Sequence, residues 1–86
     1  MEYSEDLLRS YRTIQNSGIT NMLDAKTVQY YAFQVDMYEL VSMIQHDKQD
    51  YLQIFKDREI DWEAVEPYDD KLDKLRELKE EERSNY

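Results

Sequence analysis

Apolar residues recur along the first two-thirds of the chain at helical spacing, and polar residues fall between them where caps and turns belong. Leu7, Leu8, Tyr11 and Ile14 form one stripe at three- and four-residue steps, which predicts a first helix. Ser4 precedes it as an N-cap, and Glu5 and Asp6 occupy the first turn, where carboxylates suit the helix dipole. Gly18 follows Asn16 and Ser17 and fits a left-handed C-cap. After a short link, ITNML, Asp24 is placed to cap a second helix, DAKTVQYYAFQV. Val28, Tyr31, Ala32 and Val35 share one face of it, and Tyr30 and Phe33 widen that face. The third predicted helix, MYELVSMIQH, is apolar at Leu40, Val41 and Ile44, with Met37 and Met43 filling gaps. Asp36 stands between the two helices, where a left-handed residue lets the chain reverse, and Asp tolerates that conformation better than most. Asp47 is expected to cap a fourth helix, DKQDYLQIFKD, with Tyr51, Leu52 and Phe55 in the core. The second and third helices together have the outline of a helix-turn-helix.

The pattern changes after residue 57. EIDWEAVEPYDD, residues 59–70, sets six carboxylates around Trp62 and Tyr68 with no Lys or Arg. Asp61 is placed to cap a short turn, DWEAVE, which Pro67 interrupts. From Asp69, DDKLDKLRELKEEER reads as one charged helix carrying Leu72, Leu75 and Leu78. Val65, Tyr68, Leu72 and Leu75 alternate three- and four-residue steps, as on a coiled-coil seam. Two heptads leave open whether that stripe lies on its own domain or on a sister copy. The final EERSNY is expected to fray. The expected fold class is all-α: a small bundle of four short helices with a helix-turn-helix-like pair, plus a charged C-terminal helix. The expected organisation is a compact helical domain over 1–57 and an acidic helical extension over 58–86.

Composition narrows the chemistry. Eighty-six residues make one domain at most, and such a chain buries only roughly 60–65% of its unfolded surface. One Gly and one Pro argue against a sheet, whose turns need those residues. With no Cys, disulfides and thiolate metal clusters are excluded. No apolar run approaches the ~18 residues of a membrane span, and the acidic start differs from a basic signal-peptide start, so a cytoplasmic location is expected. Eight Tyr suit half-buried positions and interfaces.

The net charge is −9, with nine acids and five bases in residues 1–57 and eleven acids and six bases in residues 58–86. Such a field repels nucleic acid and anionic membranes and speeds encounter with basic protein surfaces. His46 lies beside Asp47 and Asp50, but two ligands do not make a site, so no metal and no cofactor are expected. No nucleophile–base motif and no glycine-rich phosphate loop is present, and the chain does not read as an enzyme. The candidate recognition helix MYELVSMIQH has no Arg or Lys, which counts against DNA binding.

Asn21, Met22, Leu23, Asp24, Val28, Gln29, Tyr38, Glu39, Leu40, Val41 and Tyr51 carry a resemblance. Over residues 7–56 the chain resembles a family of small proteins of unknown function, encoded by phages and prophages of Gram-positive bacteria. Relatives usually have Gly where this chain has Asp36, in keeping with a left-handed turn. The acidic segment from Arg58 onward lies outside the family pattern. The resemblance implies a phage-type protein in the host cytoplasm. A small helical scaffold with an acidic, aromatic extension is similar to the inhibitors that phages aim at host nucleic-acid enzymes, a CRISPR nuclease being the sharpest candidate. Glu59, Asp61, Glu63, Glu66, Asp69 and Asp70 would then meet a basic host surface, with Trp62 and Tyr68 as anchors. Alternatively Trp62 and Tyr68 pin the segment to the domain and the acids only face water. Two other functions stay open: a regulatory or assembly protein acting as a homodimer through Leu72, Leu75 and Leu78, and a helix-turn-helix transcription regulator.

Overall fold

The computed structural model of the protein describes residues 3–84. Among the described residues it has five α-helices, α1 (Glu5–Ser17), α2 (Ala25–Gln34), α3 (Tyr38–His46), α4 (Lys48–Lys56) and α5 (Asp69–Ser84), with a 3₁₀ turn at Trp62–Ala64. The fold is all-α, and α2 and α3 form the helix-turn-helix-like pair. Of the closing EERSNY, Glu81–Ser84 continue α5, and residues 85–86 lie outside the described residues.

Local chemistry sets the boundaries. The Ser4 hydroxyl accepts the Leu7 N–H at 3.0 Å and donates to Glu39 on α3, so one side chain caps α1 and ties it to a neighbour. Gly18 ends α1 at φ 65°, and its N–H donates to the Gln15 carbonyl. Asp24 accepts the Thr27 N–H at 3.4 Å and the Thr27 hydroxyl at 2.7 Å. Asp36 takes φ 61°, which turns the chain between α2 and α3 within three residues. Met37 N–H closes that turn on the Ala32 carbonyl at 2.8 Å.

Leu7, Tyr11, Ile14, Val28, Tyr31, Ala32, Leu40, Ile44, Tyr51 and Ile54 make the interior, joined by Leu75 from α5. Burying such a side chain stabilises by about 1.5–3 kcal/mol before conformational entropy is counted. Three aromatic residues expected inside are outside, Tyr30 among them at 55% exposed. Phe33 is 57% exposed and Phe55 56%. Residues advance about 100° around a helix axis, so with Tyr31 and Val35 inward Phe33 points away from the core. On α4 the inward direction falls between Tyr51 and Ile54, and fully buried Ile54 takes the place expected for Phe55.

Two expected caps are also replaced. Asp47 makes no side-chain cap on α4. Its backbone serves two helices instead: its N–H donates to Met43 and its carbonyl accepts from Tyr51. Asp61 likewise offers its carbonyl, not its carboxylate, to the 3₁₀ turn through the Ala64 N–H at 3.1 Å.

The C-terminal helix lies along α1 in the same sense. Tyr68 meets Thr13, and Lys79 Nζ sits 3.5 Å from where a Cβ on Gly18 would be. Leu72 and Leu75 are buried by this docking, Leu75 completely. The stripe read as a seam therefore faces α1 of the same chain. α1 meets α5 with small residues, since Ser10, Thr13 and Ser17 recur at three- and four-residue steps and are all buried. Short side chains let the helix backbones approach closely, and Thr13 and Ser17 satisfy their own hydroxyls by donating to the Arg9 and Ile14 carbonyls at 2.6 Å each.

Candidate protein-binding interface

The acidic segment is held against α1 by its two aromatic rings. Tyr11 lies wholly inside the bundle, with its ring 5.8 Å from Tyr51. Half-buried Trp62 stacks on Tyr11 at 5.1 Å with 24° between planes, closing the core from the side of the 3₁₀ turn. Six residues on, Tyr68 is fixed by backbone and ring together. Its N–H donates to Thr13 Oγ1 at 2.9 Å, and its hydroxyl donates to Asp6. That hydrogen bond pushes the Tyr68 phenol pKa upward, burial adds to it, and the Arg9 cation opposes it.

Arg9 and Lys71 decide the electrostatics of this face. The Arg9 guanidinium lies 4.0 Å above the Tyr68 ring, and its Nε–H donates to the Glu66 carbonyl at 3.0 Å. Lys71 Nζ lies 5.2 Å from the same ring centre and donates to the Asp36 carbonyl at 3.5 Å. Arg9 and Lys71 are thus engaged by a π face and by backbone carbonyls, while Arg58, next to Glu59 in the chain, is exposed. Glu59, Asp61, Glu63, Glu66, Asp69 and Asp70 are all exposed. Among the described residues none of the six makes a salt bridge; the Arg76–Asp73 pair, at 4.0 Å, is a turn further along α5. Asp69 and Asp70 stand in the first turn of α5, where the helix dipole favours them.

A groove of about 450 Å³ runs between α1 and the segment, walled by Leu8, Ala64 and Val65, with Glu5, Arg9 and Glu66 at its polar edge. His46 is exposed, and among the described residues no three of His, Asp and Glu converge to hold a metal ion. No helix among the described residues is long and apolar enough to cross a membrane.

The structure places Trp62 and Tyr68 half-buried, fastening the segment to α1, and leaves Glu59, Asp61, Glu63, Glu66, Asp69 and Asp70 exposed along it. Asp6, Arg9 and Thr13 were not legible as parts of this face. Their partners are 55 to 62 residues away. The one sequence signal was the Ser10–Thr13–Ser17 spacing on the side of α1 opposite its leucines.

The model of a family described as Domain of unknown function (DUF5049) matches residues 4–55. The chain belongs to this family. The DUF5049 span covers α1 to α4 and stops before Glu59, so the acidic segment and α5 are additions to the family's own part of the chain. No curated protein and no solved structure matches the chain.

Proposed function

We propose that this DUF5049 protein is a phage-type binding protein, not an enzyme, that blocks a basic nucleic-acid-binding surface of a host enzyme in the host cytoplasm, a CRISPR nuclease being the sharpest candidate. One observation carries the reading. Six exposed carboxylates sit on a segment held to α1 at Trp62 and Tyr68, and they outnumber the bases beside them, of which Arg9 and Lys71 lie on the Tyr68 ring and Arg58 is exposed. A pre-ordered acidic face loses little conformational freedom on binding and keeps its charge for the partner. Carboxylates so placed compete for Arg and Lys side chains that otherwise hold phosphates.

The test changes Asp61, Glu63, Glu66, Asp69 and Asp70 together to Asn or Gln. The assay is competition with target DNA for a purified guide-loaded CRISPR nuclease, across a salt series. The parent protein is expected to compete at low salt, and the neutralised variant to lose association rate and salt sensitivity while keeping its melting temperature. Equal competition by parent and variant at low and high salt refutes the role of the face. Absence of competition by the parent refutes the choice of enzyme.

A further inference from the structure

The outward side of α2 carries an apolar patch that the acidic interface does not use. Tyr30, Phe33 and Tyr38 are 55%, 57% and 57% exposed. Phe33 and Tyr38 meet edge to face at 6.1 Å across the α2–α3 turn. Beside them Lys26, Gln29, Tyr30, Phe33 and Val41 line a shallow groove of about 260 Å³. Scattered exposed apolar residues need no explanation, but adjacent aromatics around a groove mark an interaction surface. The patch lies within the DUF5049 span.

Charge selects the occupant. From Ala25 to His46 the chain holds one base, Lys26, and two acids, Asp36 and Glu39. Glu39 is turned toward α1, where it accepts the Ser4 hydroxyl. With Lys71 of α5 reaching the Asp36 carbonyl and Glu82 accepting the Tyr31 hydroxyl, the face stays close to neutral in a chain of net charge −9. It is the place where two copies approach with least repulsion, because charges further off than about 8–10 Å are screened at ordinary salt. The remaining charges are self-complementary. Lys26, Tyr30 and Phe33 share one stripe of α2, and Asp36 follows the end of the helix at φ 61°, its carboxylate accepting the Tyr38 hydroxyl at 2.7 Å and so held beside the aromatic patch. Two α2 helices laid antiparallel about a two-fold axis near residue 31 put Lys26 of each against Asp36 of the other. The same register lays Tyr30 against Phe33 of the other copy. An isologous interface requires this reciprocal matching.

We infer that the Tyr30–Phe33–Tyr38 face is a homodimer interface, formed by antiparallel α2 helices with Lys26 paired to Asp36 across the two-fold axis. It does not involve the acidic segment, so it stands or falls separately from the inhibitor reading. Each ring leaves on the order of 100 Å² in water, so six rings cover about 600 Å², somewhat over a third of a standard interface of about 1,600 Å². That size belongs with weak, reversible contacts, so the dimer is expected to form only as concentration rises.

Sedimentation velocity of the full chain, from low micromolar to near-millimolar concentration, tests it, with a thermal melt of each variant to show that it is folded. The parent is expected to shift from monomer to dimer over that range. Phe33→Asp is expected to abolish the shift, and Tyr30→Ser provides the same readout with a smaller change. Lys26→Glu sets a glutamate against Asp36 of the other copy and is expected to weaken the dimer at least tenfold. Adding Asp36→Asn to Lys26→Glu removes that repulsion and is expected to recover most of the loss. A parent that stays monomeric throughout overturns the inference. So does a dimer that survives both Phe33→Asp and Tyr30→Ser, or one that Lys26→Glu leaves unchanged.

Discussion

Leu75→Ala tests whether α5 is part of the fold or a seam for another copy. Leu75 is 0% exposed, against α1 and within the same cluster as Tyr11 and Ile54. Truncation to Ala removes three carbons, about 2.4 kcal/mol at ~0.8 kcal/mol per buried CH₂. The cavity left behind raises the expected loss into the range of about 2–5 kcal/mol. α5 is held mainly on one side, by α1, so partial collapse is available and a value near 3 kcal/mol is expected. A domain of this length has roughly 4–13 kcal/mol in total, so the loss is a large fraction of it. With a urea m-value of about 1 kcal/mol/M, the midpoint falls by about 3 M. Leu78→Ala, at a half-buried position, is expected to cost about 1 kcal/mol by the same area reasoning. Urea unfolding followed by circular dichroism at two protein concentrations gives the answer. A loss under 1 kcal/mol for Leu75→Ala refutes the docking of α5. A Leu75→Ala penalty that grows with protein concentration instead assigns the stripe to contact between copies.

Three further outcomes follow from single contacts. Thr13→Val keeps the shape but removes the acceptor of the Tyr68 N–H, and an amide left without a partner is expected to cost about 1–3 kcal/mol in the same urea assay. Trp62→Ala is expected to lower the melting temperature, because the indole stacks on Tyr11; an unchanged melt with weaker partner binding would make Trp62 an anchor instead. Tyr11 has a buried hydroxyl without a hydrogen-bond partner, and burial pushes its pKa up to about 12 from 10. Its proton is therefore held more tightly folded than unfolded, so its contribution is whole below pH 10. It is lost as pH rises from 10 to 12, at about 1.4 kcal/mol per pH unit. Tyr11→Phe is expected to be neutral or slightly stabilising at pH 7 and to flatten the stability–pH curve above pH 10, measured by urea titrations across that range. Tyr51, raised by burial as well, keeps part of the slope in that variant.

How much of this was legible depended on the distance of each partner along the chain. Ser4, Gly18, Asp24 and Asp36 act within a few residues of themselves, and their types alone pointed to cap or turn. The face of α2 was legible at Val28, Tyr31, Ala32 and Val35 because four positions fix a helical direction. Tyr30, Phe33 and Phe55 are apolar enough for a core, but their angle around the helix axis, not their hydrophobicity, decides that they face outward. Asp47 was misread because residue type says where a cap is possible, while the backbone shared between α3 and α4 leaves its carboxylate outside. The docking of the segment after residue 57 was invisible for a different reason. It depends on small polar residues, Ser10, Thr13 and Ser17, which carry no hydrophobic signal, and on pairings across more than fifty residues.

That docking also explains how an acidic segment stays attached to an acidic protein. Ion pairs would have been the obvious fastener, and they would have neutralised the charges the segment presents. Most of the contacts need no carboxylate from the segment: indole on phenol, an amide on a threonine hydroxyl, a guanidinium on a ring and on a carbonyl, and leucine in the core. Two carboxylates take part, each accepting a tyrosine hydroxyl: Asp6 of α1 from Tyr68, and Glu82, near the end of α5 and outside residues 59–70, from Tyr31. Stacking, amide hydrogen bonds and leucine packing depend little on ionic strength, whereas attraction between exposed charges weakens as the Debye length shrinks. Attachment and presentation thereby respond differently to salt. Added salt should leave the melting temperature of the fold nearly unchanged and still dissociate a basic partner, a separation that a segment held by its own carboxylates could not achieve.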